Sequence, residues 1–273
     1  MYLLFEKGWK ESMDDRKVIY YTDELHDEFS TFTTDPPYID GSYDYERRSG
    51  IKRFTNFFLY RIVMYPIVVL YALIVFRQKI VGREKLRPFK GKGIFLYGNH
   101  TQPLGDALLQ TRLTFPRRTY IIVHPNNLKV PVFGKMVPAL GGLPIPDDKA
   151  AYKNFLAAVN GRVTEGNPLV IYPEAHIWPY YTGIRPFVDT SFLYPVSLQA
   201  PVFCFVNTHK KTSIRKRPKM VTYIEGPFYP EKDGSPKVNR KLLRDKVYAR
   251  MCELAKNSDV NVIEYIKKEE NNG

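Results

Sequence analysis

The stretch that most limits the possible folds is Gly93-Ile94-Phe95-Leu96-Tyr97-Gly98. Four consecutive apolar residues between glycines are too few for a helix and show no alternation. The run therefore reads as a strand buried on both faces. Such a strand needs cover on each side, which a largely parallel sheet flanked by helices supplies. Residues 119–123, 168–172, 202–206 and 220–224 are further short strand-like runs. Between them, Tyr152, Phe155, Leu156, Val159 and Val163 fall at helical spacing, so residues 149–165 read as an amphipathic helix ended by Gly166. Residues 107–113 read as a short helix, 130–137 as a helix opened by Pro131, and Asn239 as the N-cap of a final helix carrying Leu243, Val247, Met251 and Leu254. The expected class is α/β, a single mixed central sheet flanked by helices.

A chain of 273 residues with 44% hydrophobic and 14% aromatic content suits one large domain with appendages and excludes disorder for most of its length. Three regions are expected: a polar extension at 1–50, a basic-flanked apolar segment at 51–90, and the α/β domain at 91–273. The net charge of +13 is uneven, with six Lys/Arg against twelve Asp/Glu in residues 1–50. The remaining body is strongly basic and calls for an anionic partner. No recognition-helix or RNA-sheet motif accompanies that charge, so nucleic acid is not the expected partner. Residues 209–219, with His209, Lys210, Lys211, Arg215, Lys216, Arg217 and Lys219, read as a solvated loop that docks to anionic lipid. Cys204 and Cys252 are too few and scattered for a disulfide framework or a zinc site and read as core residues. Tyr2 to Phe5 is a small apolar patch that does not read as a secretory signal.

Residues 62–76 contain no charged side chain and one proline, Pro66. Fifteen helical residues span about 22 Å, short of the roughly 30 Å hydrocarbon core. Lys52, Arg53 and Arg61 precede the run, and Arg77, Lys79, Arg83, Lys85 and Arg87 follow it, while Tyr60, Tyr65 and Tyr71 suit an interface. A helical segment dipping into one leaflet of an anionic membrane is expected, with a buried core helix as the alternative.

The first candidate for chemistry is His100, delivered just past the 94–97 run, where open α/β sheets place reactive groups. Asp106 can accept its N–H, fix the tautomer and leave the other nitrogen as a base. The second is Glu174 in Tyr172-Pro173-Glu174-Ala175-His176, again directly after a buried run. Each has a plain alternative, a satisfied hydrogen bond for His100 and Asp106 and an N-cap or salt bridge for Glu174. Together they form a strand-end acid–base set.

Asn99-His100 followed by Asp106 resembles the first motif of the glycerolipid (1-acylglycerol-3-phosphate) acyltransferase superfamily. That motif is Asn-His, four residues, Asp, and here five residues intervene. Pro103 and Gly105 mark a turn in which a bulge absorbs the extra residue. Leu140 to Lys149 resembles the second motif, with Lys149 the nearest cation to the position of an arginine that holds the substrate phosphate. Pro173-Glu174 resembles the third, with Ala175, His176 and Ile177 replacing its Gly, Thr and Arg. Tyr194-Pro195-Val196 before the 202–206 run resembles the fourth.

The resemblance implies a divergent acyltransferase of glycerolipid-acyltransferase-like fold, acting on a lysophospholipid acceptor at the cytoplasmic face of a membrane. The acyl donor would be acyl-CoA or acyl carrier protein, a co-substrate, with no cofactor or metal. It assigns catalysis to His100 and Asp106. Asn99, Glu174, His176, Arg185 and Lys149 become candidates for binding substrate, with Trp178 as a further wall residue. The altered motifs leave open an acyltransferase with a non-phosphate acceptor, or a non-catalytic lipid-binding protein of the same fold.

Overall fold

The computed structural model describes residues 17–29, 35–102, 105–131, 133–213 and 217–268. Pro103, Val132, Arg215, Lys216 and the patch at Tyr2 to Phe5 lie outside the described residues. The chain begins with β1 (Lys17–Tyr21) and a long helix, α1 (Gly50–Ile74), then β2 (Lys79–Val81) and β3 (Ile94–Gly98). Two single turns of helix, Asp106–Leu109 and Thr111–Thr114, lead to β4 (Tyr120–Val123) and β5 (Gly142–Pro144). Then come α2 (Lys149–Thr164), β6 (Pro168–Ile171), β7 (Val202–Lys210), β8 (Lys219–Phe228), α3 (Pro236–Ala255) and β9 (Ile263–Lys267).

Seven strands form one mixed sheet in the order β2-β8-β7-β3-β6-β4-β5. The five strands from β7 to β5 are parallel; β8 runs antiparallel to β7, and β2 follows β8. Every residue of β3 is buried, as expected of a run covered on both sides. Phe95 and Tyr97 face a core completed by Phe155 and Val159 of α2 and Val247 and Met251 of α3. Ile94 and Leu96 face the opposite core with Leu86, Leu113 and Phe203. Strand β2 hydrogen-bonds β8, so the sheet takes in residues upstream of position 91.

α1 docks along one flank. Ser49 caps it by accepting from the Lys52 N–H at 3.4 Å. Pro66 lacks the N–H that would bond Ile62, and over Phe58–Met64 the helix widens to i→i+5 bonding. Asn56, Tyr60, Met64, Val68 and Ala72 are buried at intervals of four, one stripe against the domain. The Tyr60 hydroxyl accepts from the Thr119 N–H at 2.9 Å, pinning the helix to the start of β4. The opposite stripe stays exposed, including Ile51, Phe54, Phe58, Ile62, Leu70 and Leu73. By length and composition alone α1 could cross a membrane, but one face is committed to protein from end to end.

Four expectations need correction. Residues 130–137 do not form a helix: Gly134 sits where a Cβ would lie 2.1 Å from the Leu128 carbonyl, so the chain folds into tight turns there. α3 starts earlier than expected, with Ser235 rather than Asn239 as its cap and Pro236 in its first turn. In α2, Tyr152 faces solvent while Ala151, Ala158 and Arg162 are buried. His209 belongs to β7 and is buried, not solvated; burial lowers its pKa to about 4 and keeps the ring neutral.

The polar extension folds back. β1 pairs in parallel with β9, and the segment after β1 reaches the 172–185 loop. There Trp178 is fully buried, donates to the Asp27 carbonyl at 2.8 Å and stacks on Tyr265 at 4.8 Å. The two ends of the described chain thus cover the loop that carries Glu174.

Candidate active site

β3 ends in Gly98 because the ring of Phe205 occupies the space that a Cβ would need, 2.0 Å away. The next residue, Asn99, locks this end of the strand. Its side-chain oxygen accepts from the Asn207 N–H at 2.8 Å, and its amide donates to the Asn207 carbonyl at 3.0 Å. These two bonds extend the β3–β7 ladder by one rung and set His100 at the lip of the sheet.

The imidazole Nδ1 of His100 is 2.9 Å from Asp106 Oδ2. The same oxygen accepts from the N–H groups of Thr101 at 2.7 Å and Gln102 at 2.8 Å. The turn therefore wraps around the carboxylate, and the extra residue is absorbed without separating the pair. Asp106 opens a single turn of helix, with its side chain fully buried. Backbone donors and the imidazole fix the orientation of its carboxyl group. The His100 side chain is 17% exposed, and its ring hydrogen-bonds Asp106. Nε2 is the ring nitrogen that Asp106 does not engage.

Two residues that the sequence reading gave no role complete this arrangement. Asn207 donates to Asp106 Oδ1 at 3.3 Å, and its own oxygen accepts from Thr222 at 2.7 Å. Gln78 donates to Thr222 at 2.8 Å, and Arg112 donates to Gln78 at 2.5 Å. The carboxylate thus ends a chain of hydrogen bonds running across β7, β8 and the segment between α1 and β2. Tyr172 stacks on His100 at 4.4 Å and 15°, while its hydroxyl donates to the Asp106 carbonyl at 2.6 Å. Burial raises the Tyr172 phenol well above its ordinary value, so it stays neutral. A polar Asn207 at the end of the apolar 202–206 run was the available signal for the first. Tyr172 adjoining Pro173-Glu174 was the signal for the second.

The third segment lies behind the dyad. Glu174 accepts from the His100 N–H at 3.4 Å and the Arg185 N–H at 3.3 Å, and its carboxylate lies 3.5 Å from the Arg185 guanidinium. Both side chains are buried. Burial pushes the Glu174 carboxyl up to about 7, with Arg185 opposing. Arg185 also donates to the carbonyls of Glu174, His176 and Glu24 and lies over the Trp178 ring. The guanidinium of Arg185, a candidate for binding substrate, is enclosed by protein. Glu174 likewise braces the dyad loop from beneath instead of facing the opening. Ala175, in the position of the motif's glycine, holds φ at +61°, the left-handed backbone that glycine adopts without strain.

His176 is part-exposed and lies 3.3 Å from Glu28, on the rim with the N-terminal segment. Trp178 is core. Lys149 is exposed as the first residue of α2, after β5, which is three strands from β3. No contact between Lys149 and His100 or Asp106 occurs among the described residues. Among the described residues no cluster of metal-ligating side chains occurs.

A family model described as Acyltransferase matches residues 77–206, which contain the dyad, Glu174 and most of β7. No curated protein matches the chain. Among solved structures, the chain is similar to the crystal structure of the 1-acyl-sn-glycerophosphate (LPA) acyltransferase PlsC from Thermotoga maritima. The TM-score is 0.54, covering 78% of this chain and 90% of that one at 20% identity, a likeness of fold. The acyltransferase model thus lies over the strand-end His-Asp pair, in a chain whose fold is similar to that of PlsC.

Proposed function

We propose that the chain transfers a fatty acyl group from an acyl thioester to a hydroxyl of a lysophospholipid, with 1-acylglycerol-3-phosphate the first-choice acceptor. The observation that carries this reading is the 2.9 Å contact between His100 Nδ1 and Asp106 Oδ2, formed despite the extra intervening residue. With Nδ1–H donated to Asp106, Nε2 takes the proton of the acceptor hydroxyl as its oxygen attacks the thioester carbonyl. The tetrahedral intermediate then expels the thiolate, which takes the proton from the imidazolium. The ester and the free thiol leave. Asp106 stabilises the transient imidazolium, and Tyr172 and Asn207 limit how far the ring and carboxylate can turn. The donor is coenzyme A or acyl carrier protein.

The acceptor is delivered from a membrane in this reading. The outward stripe of α1 fits the acyl region of one leaflet, since the inward stripe is committed to the domain. The basic residues at both ends of α1 suit an anionic surface, and the enzyme works at the cytoplasmic face. One observation favours a second reading, an acceptor without phosphate. The single arginine near the third motif, Arg185, is enclosed by Glu174, and Lys149 is distant.

Thiol release from palmitoyl-coenzyme A and from acylated carrier protein, measured with a panel of lysolipids, tests both readings. Release that requires lysophosphatidic acid supports the first, and release with neutral lysolipids only supports the second. Lysolipid binding without release from either donor would leave a lipid-binding protein.

A further inference from the structure

A second polar site lies at the opposite, amino-terminal edge of the sheet. There the start of α1, the 44–48 turn, the residue pair before β4 and the last turn of α2 enclose a cavity of about 540 Å³. Six arginines line it, Arg47, Arg48, Arg53, Arg61, Arg118 and Arg162, against two glutamates. The glutamates are already paired. Glu46 contacts Arg48 at 2.5 Å and Arg162 at 3.4 Å, and Glu165 contacts the same two arginines at 3.4 and 3.2 Å. The remaining four have no carboxylate partner among the described residues. Arg47 bonds the Asn56 side chain, Arg61 the Pro116 carbonyl and Arg118 the Ala139 carbonyl.

This crowding is costly. Burial lowers the Arg118 pKa, and Arg162 and Arg47 lower it further by repulsion. The Nε atoms of Arg118 and Arg162 are buried without a partner. Four close cations without counter-charge form a site that an external anion would complete. The position says which anion. Phe57 lines the cavity at 53% exposure and Phe54 beside it is 68% exposed, so the cavity opens where the apolar stripe of α1 begins.

We infer that this arginine cavity binds the headgroup phosphate of an anionic phospholipid, whose acyl chains lie along the exposed stripe of α1. The inference rests on the reading that α1 seats in a leaflet. It assigns the two edges of the sheet different lipids: acceptor at the dyad, resident anionic lipid at the cavity. Arg53 and Arg61 then act as a clamp at the foot of α1, fixing the height of His100 above the membrane.

Flotation of the full chain tests it, using vesicles of phosphatidylcholine alone and with a minor share of phosphatidylglycerol. The comparison is wild type, Arg53→Gln with Arg61→Gln, and a control of equal charge loss on the α3 side, Lys232→Gln with Lys241→Gln. The expected result is a clamp variant about thirtyfold weaker on anionic vesicles, at about tenfold per 1.4 kcal/mol and 1 kcal/mol per cation. Its binding to neutral vesicles is unchanged, and the control stays within about threefold of wild type. Should the double variant melt early, Arg53→Gln alone, on an exposed position, is expected to weaken binding about fivefold. Equal losses in clamp and control, or equal wild-type binding to both vesicles, would overturn the headgroup site. Displacement by inorganic phosphate at matched ionic strength would assign the cavity to a soluble anion and also overturn it. Failure of wild type to float with either vesicle would instead sink the seating of α1.

Discussion

The two edges of the central sheet treat their charges in opposite ways. At the carboxyl edge Asp106 is saturated: three donors reach one oxygen, Asn207 reaches the other, and the network closes on protein groups. At the amino edge six arginines face two glutamates, and the balance is left open. A closed network holds a geometry, which a general base needs, because orientation and proton affinity must not drift between turnovers. An open cluster of like charge holds no geometry by itself and gains by recruiting charge from outside. In the proposed reading, function at the first edge depends on where atoms sit, and at the second on how much charge is gathered.

Substitutions sharpen that contrast. The largest effect is expected at the base itself. His100→Ala should lower acceptor-dependent thiol release about 10²- to 10⁴-fold, as loss of a general base does. Melting should stay within a few degrees of wild type, since the ring is at the lip. Asn207→Ala comes next, because it removes one donor to Asp106 and the bridge to Thr222. Turnover should fall about ten- to a hundredfold with KM nearly constant, alongside a loss of about 1–3 kcal/mol in denaturant unfolding. A loss confined to stability would mean that Asn207 serves only the fold.

Glu174 gives the smallest effect on turnover and a distinctive one on stability. Its folded pKa, about 7, lies above the ordinary value of 4.5. Between those two values the folded chain keeps a proton that the unfolded chain releases. Its contribution is therefore fully present below about pH 4.5 and is lost as the pH rises through 7. Glu174→Gln should remove a fall on the order of 3 kcal/mol across that window. Denaturant midpoints measured from pH 4.5 to 8 for both proteins would show it. Parallel curves would mean that Arg185 keeps the carboxylate charged throughout.

Much of the carboxyl edge was legible in the sequence because its signals are local. A four-residue apolar run between glycines fixes a buried strand, and the strand's end fixes where His100 emerges. The extra residue before Asp106 was absorbed because the carboxylate binds backbone N–H groups of the turn, which follow the chain wherever it bulges. Asn207 was harder to assign, since it meets Asp106 only through the pairing of β3 with β7. Arg185 and Glu174 were both visible as candidates, but their mutual burial was not, because it depends on β1, β9 and Trp178 closing over the loop. The pairing of β1 with β9 joins the two ends of the described chain, and five-residue runs carry no signal of which strand they will pair with. The arginine cavity gathers residues from four separate segments, so charge alone suggested an anionic partner without locating where it binds.

The central claim is that Asp106, separated from His100 by five residues where the motif has four, builds a working dyad. Acceptor-dependent thiol release by wild type and Asp106→Ala, under identical donor and lysolipid, tests it most directly. The account predicts robust release by wild type and a fall of at least about a hundredfold in the variant. Release by Asp106→Ala within a few-fold of wild type would contradict it and move the chemistry away from His100.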